Sequence, residues 1–84
     1  MLVISRFYGI VIKMYFQQAE HNPPHIHATY GGFVAEVTIT SGDVLEGYLP
    51  PKILAMVIEW IAKNKEDLVD MWNTQKFKAL APLE

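Results

Sequence analysis

His25-Ile26-His27-Ala28-Thr29-Tyr30-Gly31-Gly32-Phe33-Val34-Ala35-Glu36-Val37-Thr38-Ile39-Thr40 is the stretch that decides the fold. Two alternating runs flank Gly31-Gly32, and a two-residue glycine loop between such runs marks a tight β-hairpin, because both positions tolerate positive φ. The spacing fixes the register: Tyr30 faces Phe33, Thr29 faces Val34, Ala28 faces Ala35, and His27 faces Glu36. Ile26, Ala28, Ala35, Val37 and Ile39 then share one apolar face, and His25, His27, Glu36 and Thr38 share the other.

Upstream, residues 10–16 alternate in the same way, with Ile10, Ile12, Met14 and Phe16 on the apolar side and Lys13 and Tyr15 on the polar side. Gly9 marks a bend, and residues 2–7 form a lead-in arm or a short strand. Residues 17–24 are a loop stiffened by Pro23 and Pro24, which lack backbone donors and push the residues before them toward extended geometry. Downstream, a three-residue loop Ser41-Gly42-Asp43 with Gly42 or Asp43 left-handed pairs Thr40 with Val44, Thr38 with Glu46 and Glu36 with Tyr48. A two-residue loop would place Glu46 on the apolar face, where an unpaired carboxylate is costly.

Leu49-Pro50-Pro51 ends the sheet and opens a helix, proline being acceptable in a first turn. Leu54, Val57, Ile58 and Ile61 follow helical spacing, widened by Ile53 and Trp60. Asn64 reads as a break and as the N-cap of a second helix, with Asp67 three positions on. There Leu68, Met71 and Trp72 form the stripe. Both tryptophans read as core. The expected protein is α+β: a four-stranded antiparallel sheet, β-β-β-β-α-α, with two C-terminal helices on one face. Its strands span residues 10–16, 25–30, 33–40 and 44–49, its helices 51–63 and 65–77, and a frayed tail 78–84, all within one domain.

Composition narrows the function. Seven basic and nine acidic side chains leave a formal charge of −2, unlike the basic footprint of a charge-driven nucleic-acid binder. With no cysteine, disulfides and thiolate metal sites are excluded, and a cytoplasmic setting suits the chain. The apolar N-terminus is interrupted by Arg6 and Lys13, so neither a signal peptide nor a membrane span is expected. Hydrophobic residues make up 51% before glycine is counted, against the usual ~45–50% with glycine included. So small a body hides that excess poorly. A homo-oligomer or a small partner protein is therefore expected.

The polar face carries the chemistry. His25 and His27, two apart on a strand, leave the same face, with Glu36 opposite His27 and Tyr48 opposite Glu36. Lys13 and Tyr15 join if the first strand pairs with the second, Glu46 lies across from Thr38, and His21 reaches over from the loop. As a catalytic set, His25, His27, Glu36 and Tyr48 offer acid–base chemistry near neutral pH, with Lys13 and Arg6 as the available anion clamps. As a metal set, His21, His25 and His27 with Glu36 suit a borderline divalent ion. As a docking face, the same rings supply apolar bodies with polar tips, and Tyr15, Lys13, Glu46 and Arg6 become binding residues. Glu36 is expected to raise the pKa of His27.

Several segments carry a family resemblance: Ile4-Ser5-Arg6-Phe7-Tyr8-Gly9-Ile10-Val11-Ile12, Met14-Tyr15, His21-Asn22-Pro23-Pro24-His25-Ile26-His27-Ala28, Gly42-Asp43-Val44-Leu45-Glu46-Gly47 and the Leu49-Pro50 helix start. Together they resemble the bacterial domain-of-unknown-function family 4160 over nearly the whole chain. The resemblance implies a bacterial, cytosolic protein paired with another small protein, with a suspected toxin–antitoxin role, and it implies no activity. The expected function is a protein-interaction module needing no cofactor. The alternative is a small hydrolase or nuclease using His21, His25, His27 and Glu36, with or without a divalent metal.

Overall fold

A computed structural model describes residues 2–15 and 23–84. Along the chain run β1 (Leu2–Phe7), β2 (Ile10–Met14), β3 (His25–Tyr30), β4 (Phe33–Thr38), β5 (Val44–Gly47), α1 (Pro51–Lys63) and α2 (Lys65–Thr74). The strands form one antiparallel sheet in the order β1-β2-β3-β4-β5. Both helices pack on one face of it, where Ile10, Ile12, Ile26, Val37, Val57 and Leu68 belong to one buried cluster.

The sheet has five strands rather than the expected four, because residues 2–7 pair fully with β2. Tyr8 and Gly9 both take positive φ, 49° and 80°, so they close a two-residue hairpin that sets Phe7 against Ile10. The missed signal is the spacing of this Tyr-Gly pair, the same as that of Gly31-Gly32. A register shift between Val3 and Ser5 turns both Ile4 and Ser5 inward, which spoils the alternation that would mark the strand. Ser5 thereby buries its hydroxyl without a hydrogen-bond partner among the described residues.

The β3–β4 register is the one the glycine pair dictates, from Tyr30↔Phe33 to His25↔Thr38. The β4–β5 register is not. Glu36 lies opposite Glu46 and Ala35 opposite Gly47, with an irregularity between Glu36 and Val37 that sets Val37 against Val44. β4 therefore ends at Thr38, and a longer loop follows. The Thr38 hydroxyl organises that loop: it meets the Ser41 hydroxyl at 2.6 Å and accepts the Asp43 N–H at 2.9 Å, while Ser41 Oγ donates to Asp43 Oδ2 at 2.8 Å. Side-chain bonds of this kind outcompete ladder pairing over a few residues. Gly42 is left-handed, as its place in the turn requires. Glu46 still reaches the polar face, but by way of the irregularity. Leu45, assigned to the apolar face, is 42% exposed in consequence, and Phe33 at the hairpin tip is also 42% exposed.

In α1 the buried residues are Val57, Trp60 and Ile61, while Ile58 lies at the rim. Asn64 breaks the helix as expected, but its side chain turns back to donate to the Trp60 carbonyl at 2.8 Å and does not cap α2. α2 stops at Thr74, three residues short of the expected end, with Gln75 left-handed at its C-cap. The tail beyond is docked rather than frayed. Leu80 N–H donates to the Ile4 carbonyl at 2.8 Å, Trp60 Nε1–H donates to the Ala81 carbonyl at 2.8 Å, and Leu83 is buried. Among the described residues, no helix is long and apolar enough to cross a membrane. Phe16, the expected end of the second strand, and His21 lie outside the described residues.

Candidate functional site

Antiparallel register lines up Val3, Lys13, His27, Glu36 and Glu46 as one row across the five strands. His25 stands two residues along β3, on the same face. Glu36 sits between the imidazoles: Oε1 is 3.4 Å from His25 Nε2, and Oε2 is 3.6 Å from His27 Nε2. The His25 and His27 rings are 5.2 Å apart between centroids. Tyr15 closes one side, edge-on to His27 at 4.4 Å. Trp72 closes the other, with its ring 5.1 Å from His25.

The proline pair positions His25. Pro23 turns its carbonyl to His25 Nδ1, which donates to it at 2.9 Å. Pro24 turns its carbonyl to the Ile39 N–H, again at 2.9 Å, which ties the segment to the end of β4. With Nδ1 carrying the donated proton, a neutral His25 presents a bare Nε2 lone pair to Glu36. His27 is the reverse case. Its Nδ1 is buried with no partner among the described residues, so a neutral His27 keeps its proton on Nε2, toward the carboxylate.

Three sequence-derived assignments change. Tyr48 is not across from Glu36. It is 58% exposed, stacks edge-on against Phe33 at 5.7 Å and donates its N–H to the Val34 carbonyl. Glu46 takes that place, so two carboxylates face each other across β4 and β5. Arg6 lies opposite Val11, one same-face row from His27, and makes no ion pair among the described residues. The pKa of His27 is lowered, not raised: burial disfavours the imidazolium more than Glu36 favours it, and His25 and Lys13 push the same way as burial. Trp72 is the residue the sequence reading left out of the site. Its helical spacing signals only burial, and nothing local says which strand end α2 meets.

A titration follows from this balance. In chelator-treated protein, His27 should titrate by NMR below the ordinary 6.5. Glu36→Gln should lower it further, because it removes the one group that favours the charged ring. The unfolded chain then binds the proton more tightly than the folded one. His27 therefore contributes stability that is present above pH 6.5 and is lost as pH falls through the folded value. An unchanged His27 midpoint in the variant would remove Glu36 as its partner.

A family model described as "Domain of unknown function (DUF4160)" matches residues 9–73, and the chain belongs to that family. Searches of curated proteins and of solved structures returned no match. The matched segment holds the whole row from Lys13 to Glu46 together with Trp72. It leaves out β1 and the tail, the two pieces that dock on each other.

Proposed function

We propose that this protein is an interaction module that takes an extended strand of a partner polypeptide along β5. The carrying observation is that every residue of β5 is exposed beside an apolar groove. Val44, Tyr48, Leu54 and Ile58 are among the residues lining that groove, whose volume is about 400 Å³. An uncovered edge beside apolar pockets is the usual geometry of strand addition: main-chain bonds supply affinity, and alternate side chains supply specificity. The opposite edge differs, because the tail meets β1 through Leu80, and covering an edge is how sheets suppress unwanted pairing.

Charge selects the occupant. Glu46 stands opposite Glu36, and like charges directly across strands repel. A second copy pairing Glu46 with Glu46 would set four carboxylates in one row. A foreign strand with a basic residue at that place, and apolar residues at the alternate positions facing the groove, relieves the repulsion. The reading is therefore of a hetero-partner rather than of self-pairing.

The test uses two synthetic strands, one alternating lysine with valine and one alternating glutamate with valine, in fluorescence anisotropy and amide NMR. The lysine peptide should bind about tenfold tighter at low salt, or about 1.4 kcal/mol, because a favourable cross-strand pair of ~0.2–1 kcal/mol replaces a repulsive one, with shifts at residues 44–48. Glu46→Lys should reverse the preference. Shifts confined to β1, or equal affinity for both peptides, would overturn the reading.

A further inference from the structure

We propose that His25, His27 and Glu36 form a binding site for a borderline divalent transition metal, zinc foremost, independent of the β5 edge. One ligand atom from each residue can be chosen so that all lie within 4.8 Å of one another. A zinc ion with bonds of ~2.0–2.1 Å in tetrahedral geometry holds its ligands about 3.3–3.4 Å apart. The two carboxylate–imidazole separations, one to each oxygen of Glu36, are 3.4 and 3.6 Å. A proton shared between imidazolium and carboxylate draws the heavy atoms to ~2.7–2.9 Å. The observed spacing is therefore too long for a good charge-assisted hydrogen bond and close to the edge of a metal tetrahedron.

The tautomer of His25 points the same way. His25 donates its Nδ1–H to the Pro23 carbonyl, so a neutral His25 sets its Nε2 lone pair against the Glu36 Oε1 charge, an arrangement that a cation between them relieves. A ring N–H held by a backbone carbonyl is also the common outer support of a metal-bound histidine, fixing its orientation and raising its basicity. Two imidazoles and one carboxylate are the donors that zinc accepts in open sites, leaving a position for solvent or another ligand. Tyr15 and Trp72 wall the cluster on either side, which limits screening by water. Lys13 opposes the cation from across the strand, since it faces His27.

The two histidines differ as ligands. His25 has its outer hydrogen bond; His27 binds through Nε2 only by shifting its proton to Nδ1, which is buried and finds no acceptor among the described residues. His25 is the stronger ligand, and its loss should be felt more.

The decisive measurement is zinc titration calorimetry and elemental analysis on full-length protein made without a histidine tag and stripped with chelator. One zinc per chain is expected. His25→Ala should weaken binding about 100-fold or more, and Glu36→Gln and His27→Ala at least about tenfold, since losing even an outer support of a ligand costs about 10–100-fold. Lys13→Gln should tighten it severalfold, a gain that no merely structural role of the cluster would give. Cobalt(II) loaded in place of zinc should show the intense visible bands of a tetrahedral site. Should a histidine variant fail to fold, Lys13→Gln and the cobalt spectrum still decide. Protein that takes up no stoichiometric zinc, or an Ala variant at His25 that binds as tightly as the parent, would overturn the site. Neither result bears on peptide binding at β5, so the two readings fail separately.

Discussion

Trp60→Ala should remove ~3–5 kcal/mol of stability, the usual range for deleting a buried aromatic ring. Small domains hold only ~5–15 kcal/mol in total, so much of the population is expected to be unfolded or loosely packed at 37 °C. Trp60 is 1% exposed and is the largest fully buried side chain. It lies against the Phe7 ring at 5.9 Å, and its indole N–H holds the Ala81 carbonyl. The residue thus joins α1, β1 and the tail at one point. Trp60→Phe separates the contributions: it keeps most of the apolar contact and deletes the donor, so it should cost about 1–3 kcal/mol, including the desolvated Ala81 carbonyl left unpaired. Its characteristic effect should be local, with amide exchange rising at Leu80 and at the β1 residues beside the tail while α2 stays protected. Urea denaturation followed by circular dichroism checks both variants. A loss under 1 kcal/mol for Trp60→Ala would mean that the ring is not the keystone its burial indicates.

What could be read from sequence divides along physical lines. The β3–β4 hairpin was legible because two constraints agree, a loop of fixed length and alternation on both sides of it. From it came the placement of His25, His27 and Glu36 on one face, and the Lys13 row followed once β2 paired with β3. The β4–β5 register was not legible. The requirement that Glu46 stay off the apolar face was sound, but two arrangements satisfy it, and the choice fell to the Thr38–Ser41–Asp43 hydroxyl and carboxylate bonds, which no pattern of hydrophobicity encodes. β1 was blurred by the shift that turns Ile4 and Ser5 inward together. The sign of the His27 pKa change shows the same limit in energy terms. Sequence revealed the neighbouring carboxylate, while the larger influence, burial between Tyr15 and the sheet, exists only after packing. Trp72 beside His25 and the tail on β1 likewise depend on how distant elements dock.

Gly47→Ala should be the most disruptive single methyl group that can be added to this sheet. Gly47 has φ +85°, a region where a Cβ costs roughly 1–2 kcal/mol on its own. Here the added atom would also overlap the Val34 carbonyl oxygen and lie 3.0 Å from Ala35 Cα. Both neighbours are backbone, held by the Gly47–Ala35 pairing and by the Tyr48 N–H donated to Val34 at 3.0 Å, so neither can yield without opening the ladder. Gly42→Ala is the matched control. Its φ is +74°, but its Cβ would meet only the flexible Ile58 side chain at 3.5 Å, so the conformational penalty of ~1–2 kcal/mol should be nearly the whole effect. Gly47→Ala should exceed the control by about 2 kcal/mol or more, since overpacking against fixed atoms typically costs ~1–3 kcal/mol. The damage should begin locally. The side chains of β5 are exposed and the main core does not depend on them, so β5 should peel from β4 before the rest unfolds. Leu49, buried two residues on, limits how far that opening spreads. Hydrogen exchange should accordingly quicken at residues 44–48 and at Val34 and Glu36 while β2 and β3 keep their protection, and the lysine–valine strand should no longer bind. Unchanged exchange at residues 44–48, or a loss no greater than that of Gly42→Ala, would show that β5 can shift to accommodate the methyl group. The edge would then be too mobile to serve as a preformed template for a partner strand.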